Sequence, residues 1–233
     1  MHGEEHSRTG RGGGTKRGRK GAGTSHRPGR PHTPGVRERI LAAALRLFTT
    51  QGFHHTPTAQ ISREAGVSTG TLFHYFPDKS ALTDQLYLSI QREVADAARA
   101  GDDGALPTGE RLGRFFRSYI RWGMANPGKV RFLEQFYNSP SIGDEVKHRA
   151  YNEFRWLHDV GDAAIREGVM RDLPLDFYFV MVPQVLNGIL ALIRSGKTTL
   201  APDEIVAYGL ALILKEEKRR DLHPSGDFSS ANL

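Results

Sequence analysis

Residues 58–72 read TAQISREAGVSTGTL, and this spacing predicts two short helices that pack at a steep angle. Ile61, Ala65 and Leu72 are the apolar residues expected between them. Gly66 follows the first helix, where the turn needs a positive φ that a side chain would resist. Ser68 is placed to cap the second helix. The stretch is therefore interpreted as a helix-turn-helix, whose second helix can enter the major groove of DNA.

The first residues of that second helix are suited to close contact with DNA. They are small and polar, or lack a side chain, so they can approach base edges and phosphates: Ser68, Thr69, Gly70 and Thr71. A helical corner with a glycine is common by itself. The helices predicted on either side make the DNA-binding interpretation the favoured one.

Helical periodicity continues through the rest of the chain. Further helices are predicted over residues 36–51, 78–100, 112–123, 129–137, 142–167, 175–195 and 202–218. The sequence contains neither sustained period-two alternation nor an Asn-Gly or Asp-Gly hairpin turn. We therefore expect an all-α protein of about nine helices, with a three-helix helix-turn-helix DNA-binding domain followed by a second helical domain.

Composition divides the chain into four expected parts. Residues 1–35 form a basic arm that is expected to be disordered, because it has almost no apolar residues. Residues 36–83 form the expected DNA-binding domain, residues 84–220 the second helical domain, and residues 221–233 a frayed tail. Residues 1–34 carry eight Lys and Arg against two Glu, which equals the net charge of +6 of the whole chain. The basicity therefore belongs to the arm.

Two stretches of the arm are similar to the Arg-Gly-Arg-Pro core of AT-hook peptides. They read KRGRK at 16–20 and RPGRP at 27–31, and their candidate minor-groove contacts are Arg17, Arg19 and Arg30. The first copy lacks the proline, and the second has proline where the first arginine belongs. An arm attracted to phosphates in general is therefore favoured over a minor-groove hook, and a solvated leader without a specific role is the alternative.

The motif and its neighbouring helices resemble the TetR/AcrR family of bacterial repressors. The matching residues are Ile40–Ala44, Leu47, Phe48, Gly52, Phe53, Ile61, Ala65–Ser68, Gly70–Phe73, Tyr75–Lys79 and Leu82. The remainder of the chain is similar only in the number and order of its helices. The resemblance implies a homodimer with two DNA-binding heads, a pseudo-palindromic double-stranded operator and release by a small effector. It also implies that residues 84–220 form a helical ligand-binding (effector-binding) and dimerisation domain.

The resemblance also implies individual contacts to DNA. They fall on Ser68, Thr69, Thr71, Phe73, His74, Tyr75 and Lys79. Phe73 replaces the more usual tyrosine and cannot supply the phosphate hydrogen bond expected there, although His74 and Tyr75 can compensate. Ser62 replaces a common alanine. Lys79, at the start of the fourth helix, is expected to pair with a phosphate.

The last two predicted helices are apolar on more than one side, so each must bury two faces. We expect one face to pack on its own subunit and the other on a two-fold mate; the alternative is a fully internal helix. Gly188 and Gly209 would permit close approach of helices. The apolar run over residues 177–193 contains a proline, a glycine and polar residues, so we do not expect it to span a membrane.

The middle helices are rich in aromatic residues, and the resemblance places a ligand cavity among them. The candidate lining residues are Phe116, Tyr119, Trp122, Phe136, Trp156, Gln184 and Asn187. Few charged residues interrupt these stripes, so a largely apolar or aromatic effector is expected. Aromatic stripes are also typical of an ordinary core.

Other classes of function have little support in the sequence. It contains no cysteine, no Gly-rich phosphate loop, no nucleophile elbow and no metal-spaced His/Glu cluster. We therefore expect no catalytic site, metal site or cofactor, and a bacterial cytoplasmic, nucleoid-associated repressor. The alternative is a DNA-binding regulator or architectural protein that is controlled by a protein partner and has no small-molecule effector.

Overall fold

The computed structural model describes residues 35–137, 139 and 141–215. Within them are ten helices: α1 (Val36–Gln51), α2 (Thr58–Glu64), α3 (Thr69–Tyr75), α4 (Lys79–Arg99), α5 (Thr108–Ala125), α6 (Pro127–Phe136), α7 (Asp144–Glu153), α8 (Arg155–Arg166), α9 (Leu175–Ser195) and α10 (Pro202–Ala211). The one strand-like pairing in this part of the chain is an isolated bridge between Met170 and Leu214. The predicted all-α fold is confirmed.

Short-range features end α1 and begin the next helices. Gly52 has a φ of 84°, and its amide donates to the carbonyl of Phe48. Thr56 is buried and donates from Oγ1 to the Gly52 carbonyl at 2.8 Å, so it holds the loop against α1. Gly66 has a φ of 66° after α2, as the turn was expected to require.

Two side chains cap the helices on either side of the recognition element. The Ser68 Oγ accepts from the Thr71 amide at 3.0 Å at the start of α3. The Asp78 Oδ1 accepts from the Ala81 amide at 2.7 Å at the start of α4. Each contact satisfies an amide that the first helical turn leaves without a partner. The sequence therefore fixes both boundaries over a few residues.

The single helix predicted over residues 142–167 is wrong, because the structure has two helices there. Phe154 lies between α7 and α8 with φ −100° and ψ 12°. Its amide donates to the Tyr151 carbonyl at 3.0 Å and its carbonyl accepts from Leu157 at 2.8 Å, so the local bonds span three residues. The break lets α7 pack on α4 while α8 packs on α5. Apolar spacing continues through the break, which is why the sequence hides it.

The last helix also ends earlier than the sequence predicts. α10 stops at Ala211, and the Lys215 amide donates to the carbonyl of Val169 at 3.0 Å. Leu214 pairs with Met170 next to that bond. The chain therefore leaves the helical path to close against the segment that follows α8.

Helix α5 lies at the centre of the second half of the chain and contacts α4, α6, α8, α9 and α10. Gly123 permits the contact with α9, because a Cβ there would lie 2.5 Å from the Leu190 Cδ1. Phe116 and Ile120 of α5 are fully buried. The core of this region is therefore built around one helix.

Helix α9 has the predicted bounds, Leu175–Ser195. An 18-residue window within it has a mean hydropathy of 1.6, so by length and composition alone the helix could cross a membrane. The expectation that this run does not span a membrane stays a prediction. The helix packs against α5, α8 and α10 and buries Tyr178, Leu186, Ile189 and Leu190. These contacts place it within the helical bundle.

Candidate DNA-binding head and ligand cavity

Helix α3 is anchored on one side and open on the other. Leu72 is completely buried, and Phe76, at the end of the helix, is 1% exposed. Thr71 is half-buried, and the other predicted DNA-contact residues of the motif are exposed: Ser68, Thr69, Gly70, Phe73, His74 and Tyr75. The structure thus brings these residues together on one accessible surface.

Hydroxyl groups hold the start of α3 in place. The Ser68 Oγ and Thr71 Oγ1 are 2.8 Å apart and share a hydrogen bond. The Thr69 Oγ1 lies 3.1 Å from the Ser62 Oγ, and Ser62 also donates to the Ala59 carbonyl at 3.0 Å. Ser62, which the sequence marked as a departure from the family, therefore ties α2 to the recognition helix.

Lys79 has protein partners of its own. Its ammonium group donates to the carbonyl of Phe53 and lies 4.2 Å from the centre of the Phe53 ring. Partial burial lowers the pKa of Lys79 below its usual value. An ammonium group has three donors, so the bond to Phe53 leaves donors for the predicted phosphate contact. The sequence did not predict the contact with Phe53.

An aromatic cluster joins the helix-turn-helix to the second half of the chain. Phe48 of α1 lies 6.4 Å from Phe132 and 6.2 Å from Phe136 between ring centres, and both partners belong to α6. Phe53 meets Phe136 edge-on at 5.6 Å. These rings are a direct mechanical connection between the DNA-binding head and the helices behind it.

A cavity of about 440 Å³ lies among α4, α5, α7 and α9. Three of the predicted residues line it, namely Phe116, Tyr119 and Asn187. The Tyr119 hydroxyl donates to the Asn187 Oδ1 at 3.3 Å. Burial raises the pKa of Tyr119 well above its usual value, so the phenol remains neutral at physiological pH.

The other four predicted lining residues lie outside this cavity. Trp122 donates from Nε1 to the Glu93 carboxylate at 3.1 Å. Phe136 belongs to the aromatic cluster, Trp156 lies under the Arg99 guanidinium at 5.7 Å, and Gln184 is exposed. Helical spacing gives the face on which a side chain lies. Only the neighbouring helices decide whether that face meets a cavity, a charged partner or solvent.

Sequence reasoning missed the contributions of α4 and α7 to the cavity. Helix α4 supplies Tyr87, Gln91 and Val94, and α7 supplies a stripe at helical spacing: Lys147, Ala150 and Tyr151, followed by Phe154 at its end. The spacing of three and four residues on α7 was a usable signal. The long predicted helix that included α7 concealed it.

Two further points concern the arginines of the basic arm and groups that could hold a metal ion. Arg17, Arg19 and Arg30 lie outside the described residues. Over the described ranges, no group of three or more His, Asp or Glu side chains is placed to hold a metal ion.

The described residues form an all-helical fold in which α2 and the exposed α3 make a helix-turn-helix. Residues 40–86 match the family model of the bacterial regulatory proteins of the tetR family. Over this segment the chain is similar to the members of that family.

Curated relatives match over the DNA-binding head. The transcriptional regulator HbdR of Aromatoleum sp. (strain CIB) is 46% identical over 55 residues, 24% of this chain and 23% of that protein. BetI of Escherichia coli (strain K12 / DH10B) is 39% identical over 61 residues, 26% of this chain and 31% of that protein. The match thus spans less than a third of the length of either relative.

Solved structures match most of the chain. A TetR family transcription regulator of Shewanella sp. PV-4 superimposes with a TM-score of 0.72 at 27% identity, over 78% of this chain and 100% of that one. One from Marinobacter aquaeolei VT8 gives a TM-score of 0.68 at 22% identity, over 77% and 95% of the two chains. The likeness therefore extends through the helices that enclose the cavity.

Proposed function

We propose that this chain is a homodimeric, sequence-specific DNA-binding transcriptional repressor that a small, mostly apolar effector releases from its operator. One observation carries the proposal: α4 begins at the DNA-binding head and also lines the cavity. Lys79 is its first residue, and Tyr87 is the first cavity residue on the same helix. Eight residues of helix span only about 12 Å. A ligand in the cavity therefore touches the helix that holds the head.

The surface of α3 supports direct reading of base edges. Hydroxyl groups both donate and accept hydrogen bonds, so Ser68, Thr69 and Thr71 suit several base edges in a major groove. Tyr75, 43% exposed, offers a hydroxyl to the phosphate backbone, and Phe73 offers an apolar face to a thymine methyl group. Two such helices would read half-sites about 34–36 Å apart in a dimer.

An apolar face on α9 and α10 supports the homodimer. Its large apolar side chains are exposed: Phe177, Val180, Met181, Leu192, Tyr208 and Leu212. Gly188 lies on the same face of α9, and nothing described lies within 4 Å of a Cβ placed there. Several exposed apolar side chains on two neighbouring helices are typical of an interface, and the glycine would let a two-fold mate approach closely.

Release follows from two arrangements of α4. A ligand that fills the cavity between α4, α5, α7 and α9 would favour one position of α4 over another. The bond from Lys79 to Phe53 and the cap at Asp78 would carry that shift to the head. The separation of the two α3 helices in the dimer would then no longer match successive major grooves. Such a chain would act in the bacterial cytoplasm, on the nucleoid.

The first test is DNA footprinting upstream of the protein's own gene, followed by fluorescence anisotropy with the protected site and a scrambled one. Thr71→Ala should narrow the ratio of specific to non-specific affinity by about tenfold, because it removes a base contact. Thr198→Ala, in the loop between α9 and α10, is the matched control and should leave that ratio unchanged. An unaltered ratio in Thr71→Ala would contradict the assignment of α3.

The second test addresses assembly. Leu212→Arg places a charge on a residue that directly follows α10 and is 63% exposed, and it should shift the sedimentation coefficient from dimer to monomer. Gln135→Arg adds the same charge on α6, outside the apolar face, and should leave the dimer intact. A Leu212→Arg variant that remains dimeric would place the interface elsewhere.

The third test addresses release. A panel of apolar ligands is screened by thermal denaturation, where a ligand at 100 times its Kd adds about 2.7 kcal/mol of stability. Each stabilising ligand is then tested for its effect on operator affinity. Ligands that stabilise the protein without changing operator affinity would favour control by a protein partner instead.

A further inference from the structure

The cavity carries one formal charge among its described lining residues, that of Lys147 on α7. Its other polar lining groups are neutral: Tyr87, Gln91, Tyr119, Tyr137, Tyr151, Tyr178 and Asn187. No carboxylate is among the described residues that line it. The electrostatic character of the site is therefore set by a single cation.

Lys147 lies at the open end of the cavity. Its side chain is 36% exposed, and Tyr151 on the same helix is 39% exposed. The Tyr151 ring lies 5.2 Å from that of Phe179 on α9, and both residues line the cavity. The mouth therefore lies between α7 and α9. Deeper lining residues such as Phe116 and Leu186 are 0% and 1% exposed, so the interior is apolar and the charge is confined to the entrance.

The Lys147 ammonium is weakly engaged by the protein. Its described ion pair is with the Asp144 Oδ1 at 4.0 Å, and Asp144 is fully exposed on the preceding turn. Such pairs contribute little in water. By contrast, Lys129 meets both oxygens of Glu93 at 2.5 and 2.6 Å. Lys147 therefore has donors available for a ligand, while Lys129 is committed to a carboxylate.

We propose that the effector of this cavity is an amphipathic organic anion, with its acidic head group at Lys147 and its apolar ring system or chain among the buried residues. The inference rests on the effector site of the proposed function and adds the chemical class of the ligand. A negatively charged oxygen gains a charge-assisted hydrogen bond at the mouth, whereas an organic cation meets a like charge there. The tyrosine hydroxyls and the Asn187 amide offer further polar contacts along the wall.

Two fluorescent probes that differ only in the acidic group test this directly. N-phenylnaphthylamine is neutral, and anilinonaphthalene sulfonate has the same rings plus a sulfonate. Full-length wild-type protein should bind both. Lys147→Met keeps an apolar side chain of similar length. It should therefore weaken the binding of the sulfonate probe by about tenfold and leave the Kd of the neutral probe unchanged. Lys147→Arg should restore the affinity for the sulfonate probe.

Two further variants locate the probes and control for general charge effects. Lys197→Met removes an exposed lysine in the loop after α9 and should change neither Kd. Ala150→Phe fills the cavity from a buried lining position and should weaken both probes, with circular dichroism used to verify that the variant is folded. If Ala150→Phe leaves both Kd values unchanged, the probes bind elsewhere and the inference is overturned.

The outcomes separate this inference from the proposed function. If the neutral probe binds the cavity and the Kd of the sulfonate probe is the same in wild type and Lys147→Met, the anion preference alone is overturned. An equal loss of both probes in Lys147→Met also overturns it, because the lysine would then act only on the shape of the site. Failure of both probes to bind wild-type protein would overturn the effector cavity itself.

Discussion

Replacing Lys79 by methionine removes an ammonium group that faces both the protein and, as we propose, the DNA. Methionine keeps an unbranched apolar side chain, so most of the packing on the Phe53 ring is retained. The lost interactions are the hydrogen bond to the Phe53 carbonyl and the contact with its ring at 4.2 Å. The variant therefore isolates the effect of the charge.

The expected cost to stability can be worked out from these two contacts. A hydrogen bond that involves a charged group contributes about 1.5–3 kcal/mol, and a cation over an aromatic ring about 0.5–1 kcal/mol at an exposed site. Lys79 is only partly buried, so the low end applies and the loss is about 2 kcal/mol. In a protein of this size each kcal/mol moves Tm by about 2–4 °C. Lys79→Met should therefore lower Tm by about 4–8 °C.

Calorimetry on wild type, Lys79→Met, Phe53→Leu and the double variant measures the contact between the two side chains. Phe53→Leu removes the ring but keeps the backbone carbonyl, so the coupling free energy of the cycle should be about 0.5–1 kcal/mol. A coupling near zero would show that the ring contact contributes nothing. A Tm unchanged in Lys79→Met would refute the assignment of both contacts.

The same variant tests the phosphate contact. One phosphate contact per subunit contributes about 0.9 to the slope of log K against log salt, so a dimer that loses two should have a slope smaller by about 1.8 in magnitude. Affinity should fall for operator and scrambled DNA alike. A variant that is destabilised but keeps the full salt slope would show that Lys79 acts only within the protein.

Further predictions concern acid stability, helix packing and the hydroxyl between α2 and α3. The bidentate contact from Arg111, at 2.8 Å for each bond, holds the pKa of Asp102 below its usual 3.8. Because the pKa of Asp102 is lower in the folded state than in the unfolded state, the ion pair stabilises the fold above pH 3.8. That stabilisation is lost as the pH falls through the folded-state pKa. Asp102→Asn should therefore flatten the loss of Tm below pH 3.8, and an unaltered acid profile would contradict this. A Cβ on Gly209 would clash with the Cδ1 of Ile189 on α9, so Gly209→Ala should cost about 1–3 kcal/mol in urea denaturation. Gly128→Ala, with open space around it, should be neutral or stabilising, and equal effects of the two substitutions would refute the packing argument. Ser62→Ala should cost about 1 kcal/mol in the same assay, whereas no change would mean that its bond to α3 contributes nothing.

The sequence did not predict most of the residues that line the cavity. Phe116, Tyr119 and Asn187 line it, but Trp122 and Trp156, which are just as aromatic, pack elsewhere. All of them lie on inward faces of helices, and helical periodicity does not distinguish an inward face that meets a void from one that meets a neighbouring helix. That distinction depends on contacts between residues far apart in the chain.

The sequence by itself determined the all-helical fold and the helix-turn-helix, because these depend on interactions over a few residues. Gly66 supplies a positive φ and Ser68 caps α3 from three residues away, so each acts within the segment that specifies it. The tertiary structure alone decided the break at Phe154, the bond from Lys79 to Phe53 and the position of Lys147 at the mouth of the cavity. Each of these depends on which helices pack together, and the free energy of that packing is shared among residues that no local pattern connects.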